Sequence, residues 1–273
     1  MKTTRTILIL GLVCGLLLAA AEEKGREPIK DRGMDTPLTF TILYDNYLHE
    51  KGTTPDWGFA CLIEGCEQTI LFDTGTRPEI LLHNVRHLGV DLEAVRCIVI
   101  SHEHQDHVGG LAAVLDIHHD VSVYLPASFA AGIVRRIEKT GARVVPVDRP
   151  LEICAHVMST GEMGESIKEQ SLILNTRRGL VIVTGCSHPG IVAILERAKA
   201  LFDRPIHLVF GGFHLRNKGD AEMEAIIGRF RELGVETCGA THCTGDRQIA
   251  LFKEAFGENY VPMGTGRVLR ITF

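Results

Sequence analysis

The stretch that decides the fold runs from Cys97 to His107 and reads Cys-Ile-Val-Ile-Ser-His-Glu-His-Gln-Asp-His. The apolar residues 97–100 predict a buried strand. The residues that follow, 102–107, include four potential metal ligands. Alternate residues of an extended segment face the same side, so His102 and His104 can bind one ion. The chain must then turn, which lets Asp106 and His107 reach a second ion nearby. The motif therefore predicts a two-metal site at the end of a strand.

Three later apolar segments also end in a histidine. The segment Leu180–Thr184 leads to His188, the segment Leu208–Phe210 leads to His214, and the segment Thr237–Thr241 leads to His242. Each gap between these histidines is long enough for one helix and one strand, so all three can line one edge of a sheet. The chain has 13 histidines in all, a high count that favours a metal site. Imidazole and carboxylate ligands indicate two divalent metal ions, zinc first, with iron or manganese as alternatives.

These motifs resemble the signature of the metallo-β-lactamase superfamily, His-x-His-x-Asp-His after a strand, with Asp73-Thr74-Gly75 ending a strand upstream. The resemblance spans about residues 38–273. It implies an α/β fold, an αββα sandwich of two mixed β-sheets with outer helices. Early strands joined by short turns, followed by alternating strands and helices, fit that architecture. Within it we expect Leu151 to Met158 to form one strand.

The resemblance also implies roles for the remaining ligands. His188 is similar to the family's third ligand on the His102 and His104 metal, and His242 to the last ligand on the Asp106 and His107 metal. Asp73 is similar to an aspartate that supports the site through hydrogen bonds without binding metal itself.

His214 departs from the family pattern as we align it. We place it at the intermediate position, where the family carries a bridging Asp or a Cys, and an imidazole cannot bridge two cations in that way. Either the second metal is held more weakly, or His214 lies beside the metals. We favour the latter and assign His214 to substrate binding and catalysis, with a hydrogen bond to the leaving group. We also assign Asn46, in the segment Asp45–Tyr47, to substrate binding at the pocket wall.

A closer resemblance is to the archaeal dihydropterin synthase-like branch of the superfamily. It rests on three early segments, Leu43 to Asn46, Leu71 to Gly75 and Ser101 to Gly110, and on three later motifs: Gly185-Cys186-Ser187-His188, Gly211-Gly212-Phe213-His214 and His242-Cys243-Thr244-Gly245. Members of that branch are named for joining a dihydropterin pyrophosphate to a ribofuranosylaminobenzene phosphate.

Three functions remain open at this stage. We favour a metallohydrolase in which a metal-activated hydroxide, oriented by Asp106, attacks a small ester, lactone or phosphoester. The alternatives are a dihydropterin synthase-type transfer on a pyrophosphate substrate and a non-catalytic metal-binding sensor of the same fold. All three imply a small-molecule partner. The net charge of -5 and the absence of a basic block give no support for nucleic-acid binding. The oligomeric state stays open.

The N-terminus predicts export. Lys2 and Arg5 precede an apolar run from Ile7 to Leu18, and Ala19-Ala20-Ala21 offers a cleavage site. We therefore expect a signal peptide over residues 1–21, a flexible leader over residues 22–37 and one domain over residues 38–273. The mature protein would be periplasmic or secreted, with no stable membrane insertion. An uncleaved anchor and lipidation of Cys14 are the alternatives.

Export would favour disulfides. Cys61 and Cys66 flank a turn and could pair, and Cys238 and Cys243 flank a strand-to-loop step. Alternatively, all seven cysteines after Cys14 are free and fill small apolar spaces.

Overall fold

Two mixed β-sheets pack face to face, with helices on the outer side of each. This architecture comes from a computed structural model that describes residue 29 and residues 32–273. The predicted signal peptide, residues 1–21, and Cys14 lie outside the described residues. The predicted α/β class and the αββα sandwich are confirmed.

The first sheet has the strand order β13-β1-β2-β3-β4-β5-β6. Its first three strands pair antiparallel, β3 to β6 run parallel, and β13 returns to pair antiparallel with β1. The bounds are β1 Leu38–Tyr44, β2 Ala60–Glu64, β3 Ile70–Phe72, β4 Cys97–Val99, β5 Ser122–Pro126, β6 Arg143–Val147 and β13 Val268–Ile271. The parallel part places the carboxyl ends of β3 and β4 at one edge.

The second sheet has the strand order β12-β11-β10-β9-β8-β7. Strands β10, β11 and β12 run parallel, and the other three pair antiparallel. The bounds are β7 Leu151–Cys154, β8 Val157–Ser159, β9 Leu172–Thr176, β10 Gly179–Thr184, β11 Ile206–Gly212 and β12 Val235–Thr241. The parallel strands again bring their carboxyl ends to one edge.

Apolar side chains fill three layers. The layer between the sheets includes Phe40 and Phe210, whose rings meet edge to face with centroids 5.3 Å apart. Outside the first sheet pack α1 Pro78–His87, α3 Leu111–Ile117 and α4 Ala131–Glu138, and the short α2 Gln105–Val108 follows the histidine run. Outside the second sheet pack α5 Ile191–Leu201, α6 Asp220–Glu232 and α7 Asp246–Phe256. Short 3₁₀ turns occupy Leu92–Ala94, His242–Thr244 and Gly257–Asn259.

Two local expectations are corrected. Leu151 to Met158 is not one strand but the hairpin β7-β8, because the chain reverses at His156, which adopts a φ of 64°. Within the predicted leader, Met34 is buried, and its backbone N–H and C=O bond to Asn175 and Arg177 at 2.9 Å each. The last residues of that segment therefore pack against the second sheet.

The described residues contain seven cysteines, and all of them are free thiols. Cys61 and Cys66 do not pair, nor do Cys238 and Cys243. Across residue 29 and residues 32–273, none of the helices has the length and apolarity that crossing a bilayer requires.

Candidate metal centre

The site lies at the edge where the carboxyl ends of β3, β4, β10, β11 and β12 meet. Four of these strands, β3, β10, β11 and β12, are followed by a sharp turn. Asp73, Ser187, His214 and His242 all adopt positive φ, between 52° and 67°, a region that non-glycine residues rarely enter. Such backbone strain clusters at functional sites.

The first ligand group contains His102, His104 and His188. His102 Nε2 lies 3.1 Å from His104 Nδ1, and the His188 ring centroid lies 4.8 Å from that of His102 and 4.9 Å from that of His104. Burial and the neighbouring imidazoles lower the pKa of His102, and the same causes lower the pKa of His188 to about 4. Both rings are therefore neutral near pH 7, which is the form that binds metal.

The second group contains Asp106, His107 and His242. Asp106 Oδ2 lies 3.6 Å from His107 Nε2 and 3.4 Å from His242 Nε2. Burial opposes the charge on Asp106, but a hydrogen bond with His242 and the nearby His107 hold its pKa below the usual range. Burial likewise opposes a proton on His107, yet the carboxylates of Asp73 and Asp106 raise its pKa to about 9. The same negative field would stabilise a bound cation.

Cys186 lies between the two groups, immediately after β10. Its Sγ is 3.3 Å from His107 Nε2 and 3.4 Å from His242 Nε2. The same sulfur also lies within 4.8 Å of the ligand atoms of His102 and His188. Cys186 therefore lies in space between the two groups, where a shared ligand could reach both ions, and the same turn after β10 delivers Cys186 and His188 to the site.

His214 lies to one side of the ligands and is exposed. Its ring centroid is 4.3 Å from that of His188, and it shares a third donor group with Cys186 and Cys243, whose ligand atoms lie within 4.8 Å of one another. A hydrogen bond with Cys243 raises the pKa of His214. Its assignment to substrate binding and catalysis stays a prediction.

Asp73 lies behind His107, and its predicted supporting role stays a prediction. It is fully buried at the end of β3, and its two oxygens accept hydrogen bonds from Ser101 N, Ser101 Oγ and His107 Nδ1, each at 2.7 Å. The last of these bonds keeps Nε2 of His107 free to face the metal site.

Asn46 holds His242 in place. Its Oδ1 lies 2.9 Å from His242 Nδ1 and accepts a hydrogen bond from Gly58 N, while its Nδ2 donates to His242 O at 3.0 Å. Both ends of its amide are thus engaged within the protein, and its assignment to substrate binding stays a prediction.

Three features of the site are not indicated by the sequence patterns described above. Cys186 resembles the other small, apolar cysteines, although its place after an apolar strand is a usable signal. Glu169 is buried and accepts hydrogen bonds from the backbone N–H groups of Cys186, Ser187 and His188 at 2.7–2.8 Å. Burial raises the pKa of Glu169 to about 7 against those bonds. Trp57, whose indole N–H donates to Asp106 Oδ2 at 2.8 Å, sits in a loop that gave no signal.

The donor set fits divalent metal ions. Neutral imidazoles, one carboxylate and one thiol converge, and these are ligand types that zinc accepts. In addition, His188 Nε2 is buried and has no hydrogen-bond partner within the described residues. A buried polar atom without a partner costs free energy, and a bound ion would satisfy it.

Comparison with known proteins agrees with this geometry. Residues 54–203 match the family model described as the metallo-beta-lactamase superfamily. A protein of Methanocaldococcus jannaschii named 7,8-dihydropterin-6-methyl-4-(beta-D-ribofuranosyl)-aminobenzene-5'-phosphate synthase is 29% identical, over 80% of this chain and 92% of its own length.

Two solved structures are similar. One is Tm1679, described as a metal-dependent hydrolase of the beta-lactamase superfamily, with a TM-score of 0.72 and 29% identity over 86% of this chain and 100% of that one. The other is the metallo-beta-lactamase fold protein YhfI of Bacillus subtilis, with a TM-score of 0.62 and 15% identity over 86% of this chain and 99% of that one. The second likeness shows the fold alone.

Proposed function

The chain belongs to the metallo-β-lactamase superfamily, and from that premise we propose that it is a hydrolase of small esters, lactones or phosphoesters that depends on two bound zinc ions. The observation that carries the proposal is the pair of ligand groups that share Cys186. His102, His104 and His188 would hold one ion, and Asp106, His107 and His242 the other. A thiolate is a soft ligand, so Cys186 favours zinc over manganese, which prefers oxygen ligands.

The residues around the ions would prepare the reaction. Bound divalent ions supply a water of lowered pKa and positive charge near the attacked oxygen. Asp106 accepts a hydrogen bond from Trp57 at one oxygen, which fixes the direction in which the carboxylate can orient a nucleophile. His214 is exposed at the mouth and holds a proton more readily than a free histidine, so it can donate that proton to the leaving group.

The test combines metal content with turnover. We expect elemental analysis of the purified protein to give about two zinc ions per chain. We also expect the metal-loaded protein to cleave at least one member of a panel of esters, lactones and phosphoesters. His102→Ala should lose metal and activity together, whereas His83→Ala, an exposed histidine outside the site, should change neither. Metal binding without any turnover would favour the non-catalytic sensor, and no metal binding at all would contradict both.

A second candidate is the synthase-type transfer, which the similarity to the M. jannaschii synthase favours. The two reactions differ in their second substrate. A synthase releases pyrophosphate from a dihydropterin pyrophosphate only when the ribofuranosylaminobenzene phosphate is also present, whereas a hydrolase uses water. Measuring pyrophosphate release with one and with both substrates therefore separates the two functions.

We also propose that the protein is exported after cleavage of residues 1–21. The support is the charged start, apolar run and small residues at the N-terminus. Cell fractionation and N-terminal sequencing of the mature chain test this proposal. A mature chain that begins at Glu22 would support it, and a cytosolic chain that begins at Met1 would refute it.

A further inference from the structure

The mouth of the metal centre carries an exposed aromatic side chain, Trp57. Its side chain stays 43% exposed, which is unusual for a tryptophan. The indole N–H nevertheless donates to Asp106 Oδ2 at 2.8 Å, and the ring centroid lies 5.2 Å from that of His242. Trp57 is therefore fixed against two ligands of the second group.

A guanidinium lies over this indole. The Arg216 Cζ is 4.8 Å from the centroid of the Trp57 ring, within range of a cation–π contact. The backbone of Arg216 is also held in place. Its carbonyl accepts a hydrogen bond from the buried Gln248 at 3.2 Å, and it packs so closely on Gly245 that a Cβ there would lie 2.9 Å from the Arg216 Cα.

The charge of Arg216 is not neutralised by an ion pair. Across the residues that the structure describes, no carboxylate lies within salt-bridge distance of Arg216. Two carboxylates near the mouth are engaged elsewhere, since Asp246 accepts a hydrogen bond from Tyr47 Oη at 2.6 Å and Asp106 accepts one from Trp57. Arg216 is exposed, and its guanidinium makes no hydrogen bond to another of the residues that the structure describes, so its N–H groups are available to a ligand. Such a planar set of donors matches the oxygens of a phosphate or a carboxylate.

We propose that Arg216, held in place by Trp57, determines specificity by binding an anionic group of the substrate, a phosphate or a carboxylate, beside the bond that is cleaved. The inference rests on the proposed function and narrows its substrate class. The substrate is then a small ester, lactone or phosphoester that carries a second, anionic group. Its reacting bond faces the metal ligands, and the anionic group extends past Trp57 to the guanidinium.

Binding can be followed directly by fluorescence, because Trp57 is the single tryptophan of the chain. Phenol release is assayed in parallel, because the anionic probe is itself a phosphoester. The metal-loaded protein is titrated with phenyl phosphate while tryptophan fluorescence is followed, and phenol serves as the neutral probe. We expect Arg216→Ala to weaken phenyl phosphate binding by about 10- to 100-fold, the usual effect of removing a charged hydrogen-bond partner. Arg216→Lys should recover part of the affinity. The control Arg229→Ala, on α6, should bind as the wild type does.

Equal binding of phenyl phosphate by the wild type and Arg216→Ala would overturn the inference, as would a wild type that does not bind it. Metal content and melting temperature of Arg216→Ala should match the wild type, which separates lost recognition from a disturbed fold. Weakened binding together with lost metal would also overturn the inference, because it would assign Arg216 a structural role.

A matched pair of substrates separates this inference from the proposed function. Mono-p-nitrophenyl succinate carries a carboxylate remote from the ester, and p-nitrophenyl butyrate offers the same ester without a charge. Arg216→Ala should raise KM about tenfold for the succinate and leave kcat/KM for the butyrate unchanged. Equal losses on both esters would overturn the inference. If the wild type cleaves neither ester nor any other substrate, the hydrolase proposal fails, and the phenyl phosphate titration still decides the role of Arg216.

Discussion

Replacing Asp73 with asparagine changes which nitrogen of His107 carries the proton. Asp73 is buried at the end of β3 and can only accept hydrogen bonds, so its 2.7 Å contact with His107 Nδ1 places a proton on that nitrogen. In Asp73→Asn the amide oxygen can still accept from Ser101 N, but the amide nitrogen then faces His107. The nitrogen would donate to Nδ1 and move the histidine proton to Nε2, the atom that should bind metal.

The magnitude follows from the bonds that change. Without the Asp73 oxygen that accepts from His107, a buried hydrogen bond to a charged group is lost. This loss lowers the free energy of unfolding of the metal-free protein by about 1.5–3 kcal/mol. For a chain of this size, that loss lowers the melting temperature by about 3–12 °C. Partners that orient a metal-binding histidine contribute about 10- to 100-fold in metal affinity. We therefore expect zinc at the Asp106, His107 and His242 group to bind about 10- to 100-fold more weakly.

The assay is competition for zinc against a chelating dye, together with elemental analysis at limiting metal and thermal unfolding with a chelator present. Asp91→Asn is the matched control, because this exposed aspartate accepts a backbone N–H from Glu93 and lies outside the site. We expect Asp73→Asn to retain about one ion where the wild type retains about two. Zinc affinity within about threefold of the wild type would refute the argument that Asp73 sets the protonation of His107.

Three further predictions follow from the site. Cys186→Ser should lower zinc affinity at least about tenfold and manganese affinity less, because serine is a harder ligand; equal losses would mean that the sulfur does not bind the ion. In the metal-free protein, burial raises the pKa of Asp45 to about 6, so the folded state binds more protons than the unfolded state between about pH 4 and 6. Unfolding free energy relative to Asp45→Asn should therefore fall by about 3 kcal/mol as the pH rises through that window, and a constant difference in denaturant titrations would contradict this. When free zinc is held at about a hundred times its Kd, removing the metal with a chelator should lower the melting temperature by about 5–10 °C. An unchanged melting temperature would argue against a bound ion.

The ligands that the sequence revealed share one property: they end apolar strands. His102, His188 and His242 follow β4, β10 and β12, and parallel strands must bring such residues to a common edge. The periodicity of the apolar residues and the polar residues that end each run carry that information, so the αββα architecture and the convergence of these histidines at one edge could be predicted.

The parts that the sequence did not reveal depend on turns and on contacts between distant segments. Cys186 and His188 come from one turn in which Ser187 adopts a positive φ, and no local pattern indicates that this turn brings the cysteine to the site together with the histidine. Asn46 and His242 are far apart in the chain, so nothing local indicates that the amide holds the imidazole. Glu169 is not indicated locally either, because the three backbone N–H groups that donate to it lie in the loop after β10, beyond the β9-β10 hairpin.

The pairing of the first and last strands has a practical consequence. Leu38 pairs with Ile271, so the chain enters and leaves the described domain at neighbouring points of the first sheet. Strand β1 then runs toward Asp45 and the metal ligands, which places both points at the end of the sheet opposite the centre. A tag, a fusion partner or a surface linkage attached near either point would leave the metal-binding edge facing away from the attachment. A short peptide joining residues 273 and 38 should also be tolerated, with loss of the Met34 contacts to the second sheet, so that the chain could be reopened in a loop elsewhere on the domain.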